Sequence, residues 1–196
     1  MVDLIPLLDQ LDADTPDVPH AMAVAARAMV HADAGQLDEA RQLLSELATT
    51  GFDFPIDLLW TTAMVYCAEA AIECRDTRYA GPLFDHLAPW ADQWSTSGST
   101  SEGPISYYLG GLATVLGRYG EADTYFVLAA ATSSSAGAKF FAARTDLSWG
   151  RMLAARNGPG DAEEARRLLT QAHTAAVAHG YATVQRRAAA ALQTLS

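Results

Sequence analysis

One arrangement of apolar and polar positions recurs four times along the chain. The copies are Leu37-Asp38-Glu39-Ala40-Arg41-Gln42-Leu43-Leu44, Thr77-Arg78-Tyr79-Ala80-Gly81-Pro82-Leu83-Phe84, Tyr119-Gly120-Glu121-Ala122-Asp123-Thr124-Tyr125-Phe126 and Glu163-Glu164-Ala165-Arg166-Arg167-Leu168-Leu169. An alanine anchors each copy (Ala40, Ala80, Ala122, Ala165), and successive anchors stand 40, 42 and 43 residues apart. Large apolar residues follow at the third and fourth positions, and Leu47, Leu87, Ala129 and Ala172 at the seventh. Offsets of three, four and seven put these side chains on one stripe of a helix, and the small anchor lets that helix approach its neighbour closely.

A second helical stretch precedes each copy: His20 to Ala34, Ile56 to Cys74, Pro104 to Leu116 and Lys139 to Arg156. Each ends in a turn signal, at Gly35, Asp76, Gly117 and Asn157-Gly158-Pro159-Gly160. Glycine permits the left-handed backbone that stops a helix, and Pro104 suits a helix start because its missing N–H costs nothing there. The pattern therefore predicts an all-α chain of about four helical hairpins, over 17–51, 55–94, 103–136 and 138–180. Capping helices are expected at 2–13 and 181–195, since the end units of a stack need a second face covered. The whole reads as one repeat domain, 1–196.

Two places break the rhythm. Pro89 should end or kink its helix, because it removes a backbone donor. The run Ser95-Thr96-Ser97-Gly98-Ser99-Thr100-Ser101-Glu102-Gly103 is small and polar, and predicts an exposed, mobile connector. His86, Trp90 and Trp94 stand at i, i+4 and i+8 and predict a packed stripe.

Composition narrows the classes. Of 196 residues, 39 are alanine and only 8 are proline, a helical palette in a chain long enough for a real core. No apolar stretch reaches the 18 or more residues of a membrane span, and no basic start precedes an apolar run, so a cytoplasmic location is expected. The formal net charge of -10 argues against nucleic acid, whose binding depends on Lys and Arg. Residues 1–100 hold 16 acids against 4 bases and residues 101–196 hold 7 against 9, giving -12 and +2. This asymmetry allows a homodimer or a basic partner drawn to the N-terminal half.

Cys67 and Cys74 lie seven apart on one helix, about 10 Å by helix rise, too far for a disulfide. No CxxC pair occurs, and the five histidines show no metal-ligand spacing, so neither metal nor cofactor is expected. A GxxxxGK[ST] phosphate loop, a nucleophile elbow and any other catalytic constellation are lacking as well. The lone lysine, Lys139, opens a helix and reads as solvated.

The pieces Leu87-Ala88-Pro89-Trp90-Ala91, Tyr108-Leu109-Gly110-Gly111-Leu112-Ala113 with Leu116-Gly117-Arg118, and Ala143-Arg144-Thr145 with Met152 to Asp161 carry a resemblance. From about Ile5 to Leu192 the chain resembles the tetratricopeptide-like (MalT-like) C-terminal region of actinobacterial LuxR-type regulators and related adenylate or guanylate cyclase ATPases. The resemblance implies a tetratricopeptide-like α-solenoid. It also implies the binding of partners or effectors, and does not imply ATP hydrolysis, for either an excised domain or a free-standing relative.

The expected function is a non-catalytic module binding a protein, a peptide or a small effector. The alternative is a free-standing small-molecule binder or an unusual enzyme on the same scaffold. Candidate groove residues are those the core stripes leave over. Ile105, Tyr108, Leu109, Leu112 and Leu116 make one stripe, which turns Tyr107 and Gly111 away. Arg144, Ser148 and Arg151 share a face off the stripe of Ala143, Leu147 and Gly150, and two guanidinium groups there suit a carboxylate or phosphate. Trp60 and Met64, one turn apart, would add an apolar wall.

Overall fold

A computed structural model describes residues 20–195. The expected opening cap at 2–13 lies outside the described residues. Helix accounts for 76% of the structure, which makes the chain mostly helical, with one small two-stranded sheet.

The described residues divide into two compact units, one of 20–90 with Trp94–Glu102 and the other of Ala91–Gln93 with 103–195. The first holds α1 (His20–Asp33), α2 (Leu37–Ala48), α3 (Trp60–Cys74) and α4 (Thr77–Leu87). Here α1 packs on both α2 and α3, and α3 also packs on α2 and α4. The anchors Ala40 and Ala80 are fully buried, as are Leu44, Leu83 and Leu87 from the same stripes. The start of α3 falls four residues later than expected, because Pro55 to Leu59 forms a turn in which Asp57 Oδ1 accepts the Leu59 N–H at 2.8 Å. At the other end the left-handed residue is Arg75, with φ of 51°. Asp76 then caps α4, its carboxylate taking the Arg78 N–H at 3.1 Å and the Arg78 guanidinium in a fork.

The second unit holds α5 (Ile105–Val115), α6 (Tyr119–Ser135), α7 (Lys139–Arg156), α8 (Asp161–His179) and α9 (Ala182–Thr194). Each of these helices packs on the next, and α7 also touches α5 and α9. Ala143 and Leu147 of α7, Leu169, Ala172 and Ala176 of α8, and Val184 and Ala188 of α9 form one apolar core. Small residues set the spacing. A methyl on Gly110 would lie 2.8 Å from the buried Phe126 ring, and one on Gly150 would lie 2.8 Å from Leu169 Cγ.

The connector differs from its expectation. Helix α4 ends at Leu87, and a 3-10 turn, Ala88–Trp90, carries the chain past Pro89. Then β1 (Trp94–Thr96) pairs with β2 (Ser101–Pro104) around the turn at Gly98, whose φ is 87°. Alternation puts Ser95 and Glu102 inside, both buried, while Thr96 and Ser101 face water. The expected stripe of His86, Trp90 and Trp94 is broken by the same helix end. His86 bonds the Gly51 carbonyl at 2.9 Å, Trp90 stacks obliquely on Trp60 at 5.5 Å, and the Trp94 indole donates to Ser101.

Both cysteines are buried free thiols, and burial holds each thiol pKa above its usual range. No described helix is long and apolar enough to cross a membrane.

Candidate functional site

The residues left over by the core stripes of the second unit gather beside each other. Helix α5 buries Ile105, Tyr108, Leu109 and Leu112, which sets Tyr107 half-buried at the edge. Gly111, expected to face away, is buried, because a residue without a side chain lets the neighbouring surface close over it.

On α7, burial of Ala143, Leu147 and Gly150 turns Arg144 and Ser148 towards Tyr107. The rotation of α7 is fixed from α6, where Asp123 Oδ1 accepts the Trp149 indole N–H at 2.7 Å. The Arg144 guanidinium carbon stands 4.6 Å from the Tyr107 ring centre, 5.8 Å from that of Phe140 and 6.0 Å from that of Tyr108. Arg144 Nη2 donates to the Tyr107 hydroxyl at 3.4 Å, and Ser148 Oγ donates to the same oxygen at 3.3 Å. Stacking on ring faces restrains a guanidinium and fixes its orientation.

The rings continue outward. Phe140, 40% exposed, meets Tyr181 edge to face at 5.1 Å, and Tyr181 lies 5.7 Å from the His179 ring. Arg151, two turns beyond Arg144, is exposed and has no hydrogen-bond or ion-pair partner among the described residues. The structure thus brings Tyr107, Arg144 and Ser148 together, leaves Arg151 in water on the same helix, and adds Phe140 and Tyr181.

Trp60 and Met64 belong to the first unit and are core residues there, Met64 fully buried and Trp60 nearly so. Beside Trp60 a hollow of about 20 Å³, lined by Met22, Phe54, Pro55 and Ala63, has room for about one water molecule.

A buried polar group in the first unit escaped the sequence reading. Glu102 of β2 takes the Thr100 hydroxyl at 2.7 Å, the Thr62 hydroxyl at 3.4 Å and the Tyr66 hydroxyl at 3.5 Å. Burial, with the Glu102 charge beside it, raises the Tyr66 pKa. Its signal was Thr62 and Tyr66 standing one turn apart on a helix otherwise rich in alanine. No group of His, Cys, Asp and Glu among the described residues is arranged to hold a metal ion.

No family model, curated protein or solved structure matches the chain.

Proposed function

We propose that the chain is a non-catalytic interaction module on a tetratricopeptide-like repeat, as its resemblance to the C-terminal region of LuxR-type regulators implies, and that the α5/α7 face of its second unit receives a protein or peptide. The observation that carries this is the cluster of Tyr107, Arg144 and Ser148, polar and aromatic side chains held in place outside the core. Packing supports the repeat: α1 lies against α3, α5 against α7 and α7 against α9, so the first helices of neighbouring hairpins stand side by side.

Stacked helical repeats present surfaces that receive peptides and partner helices, which favours a peptide over a small molecule.

Random peptides displayed on phage and selected against the full chain test the reading. Enriched sequences should be lost on Tyr107→Ala and on Phe140→Ala, with helical circular dichroism unchanged. Absence of enrichment, or equal recovery on both variants, contradicts it.

A further inference from the structure

The turn ahead of α3 holds two large apolar side chains out in water. Its backbone fixes it: the Pro55 carbonyl accepts the Asp57 N–H at 3.0 Å, the Asp57 carbonyl accepts the Trp60 N–H at 3.2 Å, and Asp57 Oδ1 accepts the Leu59 N–H at 2.8 Å. Phe54 and Trp60 turn inward and are buried, while Ile56 is 77% exposed and Leu58 70% exposed. Apolar surface continues beside them. Trp90, also exposed, lies on Trp60, and the hollow next to Trp60 is lined by Ala21 and Met22 at the start of α1. Side chains this exposed add little to the packing of the first unit, and apolar surface of this kind marks an interaction site.

The chain that enters at this surface supplies an occupant for it. His20 is the first described residue, and Ala21 and Met22 after it line the hollow, so residues 1–19 join the first unit here. Within them Leu4, Leu7, Leu8 and Leu11 stand at offsets of three, four and seven, the spacing of one helical stripe, with Asp3, Asp9, Gln10 and Asp12 off it. Residues 12–19 separate these leucines from His20, and eight extended residues span up to about 27 Å, enough to lead the leucines back across the turn. We infer that residues 4–11 of the same chain occupy this surface, seated by Leu4, Leu7, Leu8 and Leu11 against Ile56, Leu58 and Trp90. Charge opposes the contact, because residues 1–19 hold five aspartates and neither Lys nor Arg, and Asp53 and Asp57 adjoin the exposed apolar residues. The leucines therefore carry it, and screening by salt strengthens it.

Cysteine pairs placed in the full chain test this, since the native Cys67 and Cys74 are buried. Ile56 and Leu58, being exposed, tolerate the substitution. Leu8→Cys with Leu58→Cys, and Leu11→Cys with Ile56→Cys, should each close into an intramolecular disulfide under a mild thiol oxidant. The product is read as a mobility shift in non-reducing electrophoresis that does not depend on protein concentration. Leu8→Cys with Glu39→Cys should close far less, because exposed Glu39 follows the far end of α1, about 17 Å of helix rise from Met22. Adding Leu4→Asp and Leu7→Asp to the first pair should abolish its closure, and about 1 M salt should preserve or increase it in the pair without them. Disulfide-linked dimers in place of the intramolecular product, rising with concentration, overturn the inference in favour of a second copy as occupant. Closure that survives the two aspartates, or that the Glu39→Cys pair equals, shows random collision on a tether and overturns it as well. Closure by neither pair overturns it outright.

Discussion

Asp146 shows how one residue can be placed against its own charge. It lies half-buried on α7 facing α8, and burial pushes its pKa up to about 6. Arg167 across the interface pulls the other way but less strongly, since its guanidinium is already forked onto Glu164. A carboxyl whose folded pKa exceeds its unfolded value of 3.8 binds protons more tightly in the native state. Its stabilising contribution is therefore complete below about pH 4 and is lost as pH rises through about 6. With solvent screening discounted, the loss is about 1 to 2 kcal/mol. Asp146→Asn should raise stability at pH 7 by that amount and flatten the slope between pH 4 and pH 7, as read by urea unfolding at several pH values. A variant with the native slope would place the titration elsewhere. Asp161 has the opposite sign. The Arg156 fork and the Gly158 N–H hold its carboxyl down to about 2, so its contribution persists at neutral pH and is lost only on strong acidification.

At the scale of elements, glycine spacing between paired helices decides how closely they approach. Gly110→Ala must displace the buried Phe126 ring, and Gly150→Ala must displace Leu169 while its methyl comes within 3.2 Å of the Ala165 carbonyl oxygen. Overpacking of this kind costs about 1 to 3 kcal/mol, which outweighs the gain of up to about 1 kcal/mol in helix propensity. Gly120→Ala, with nothing within 4 Å of the added methyl, should instead be neutral or stabilising. Chemical denaturation of the three variants checks this, and equal behaviour of all three would contradict the close-packing account.

The helices were legible in the sequence because burial on one stripe imposes its period. Lys139–Arg156 matches its expected bounds, and His20–Asp33 and Ile105–Val115 match within a residue at each end. The β-hairpin was not. Gly98-Ser99 between two short runs is a hairpin turn signal, but the runs are made of Ser, Thr and one Glu, and burial of Glu102 depends on hydroxyls contributed by α3. Of the site, Tyr107, Arg144 and Ser148 followed from what the stripes left over. Trp60 and Met64 could not be placed that way, because α3 buries almost its whole circumference.

For the molecule as a whole, the proposed function puts recognition on one helical face of the second unit. The chain's charge is divided, with -12 over residues 1–100 and +2 over residues 101–196. The most direct test follows the amide and aromatic resonances of the full chain as the best peptide from the phage selection is added. The interaction face predicts shifts confined to Tyr107, Phe140, Arg144, Ser148, Arg151 and Tyr181 with their immediate neighbours, and no such shifts in the Tyr107→Ala/Phe140→Ala double variant. Shifts centred on other residues, with these six unmoved, would contradict it.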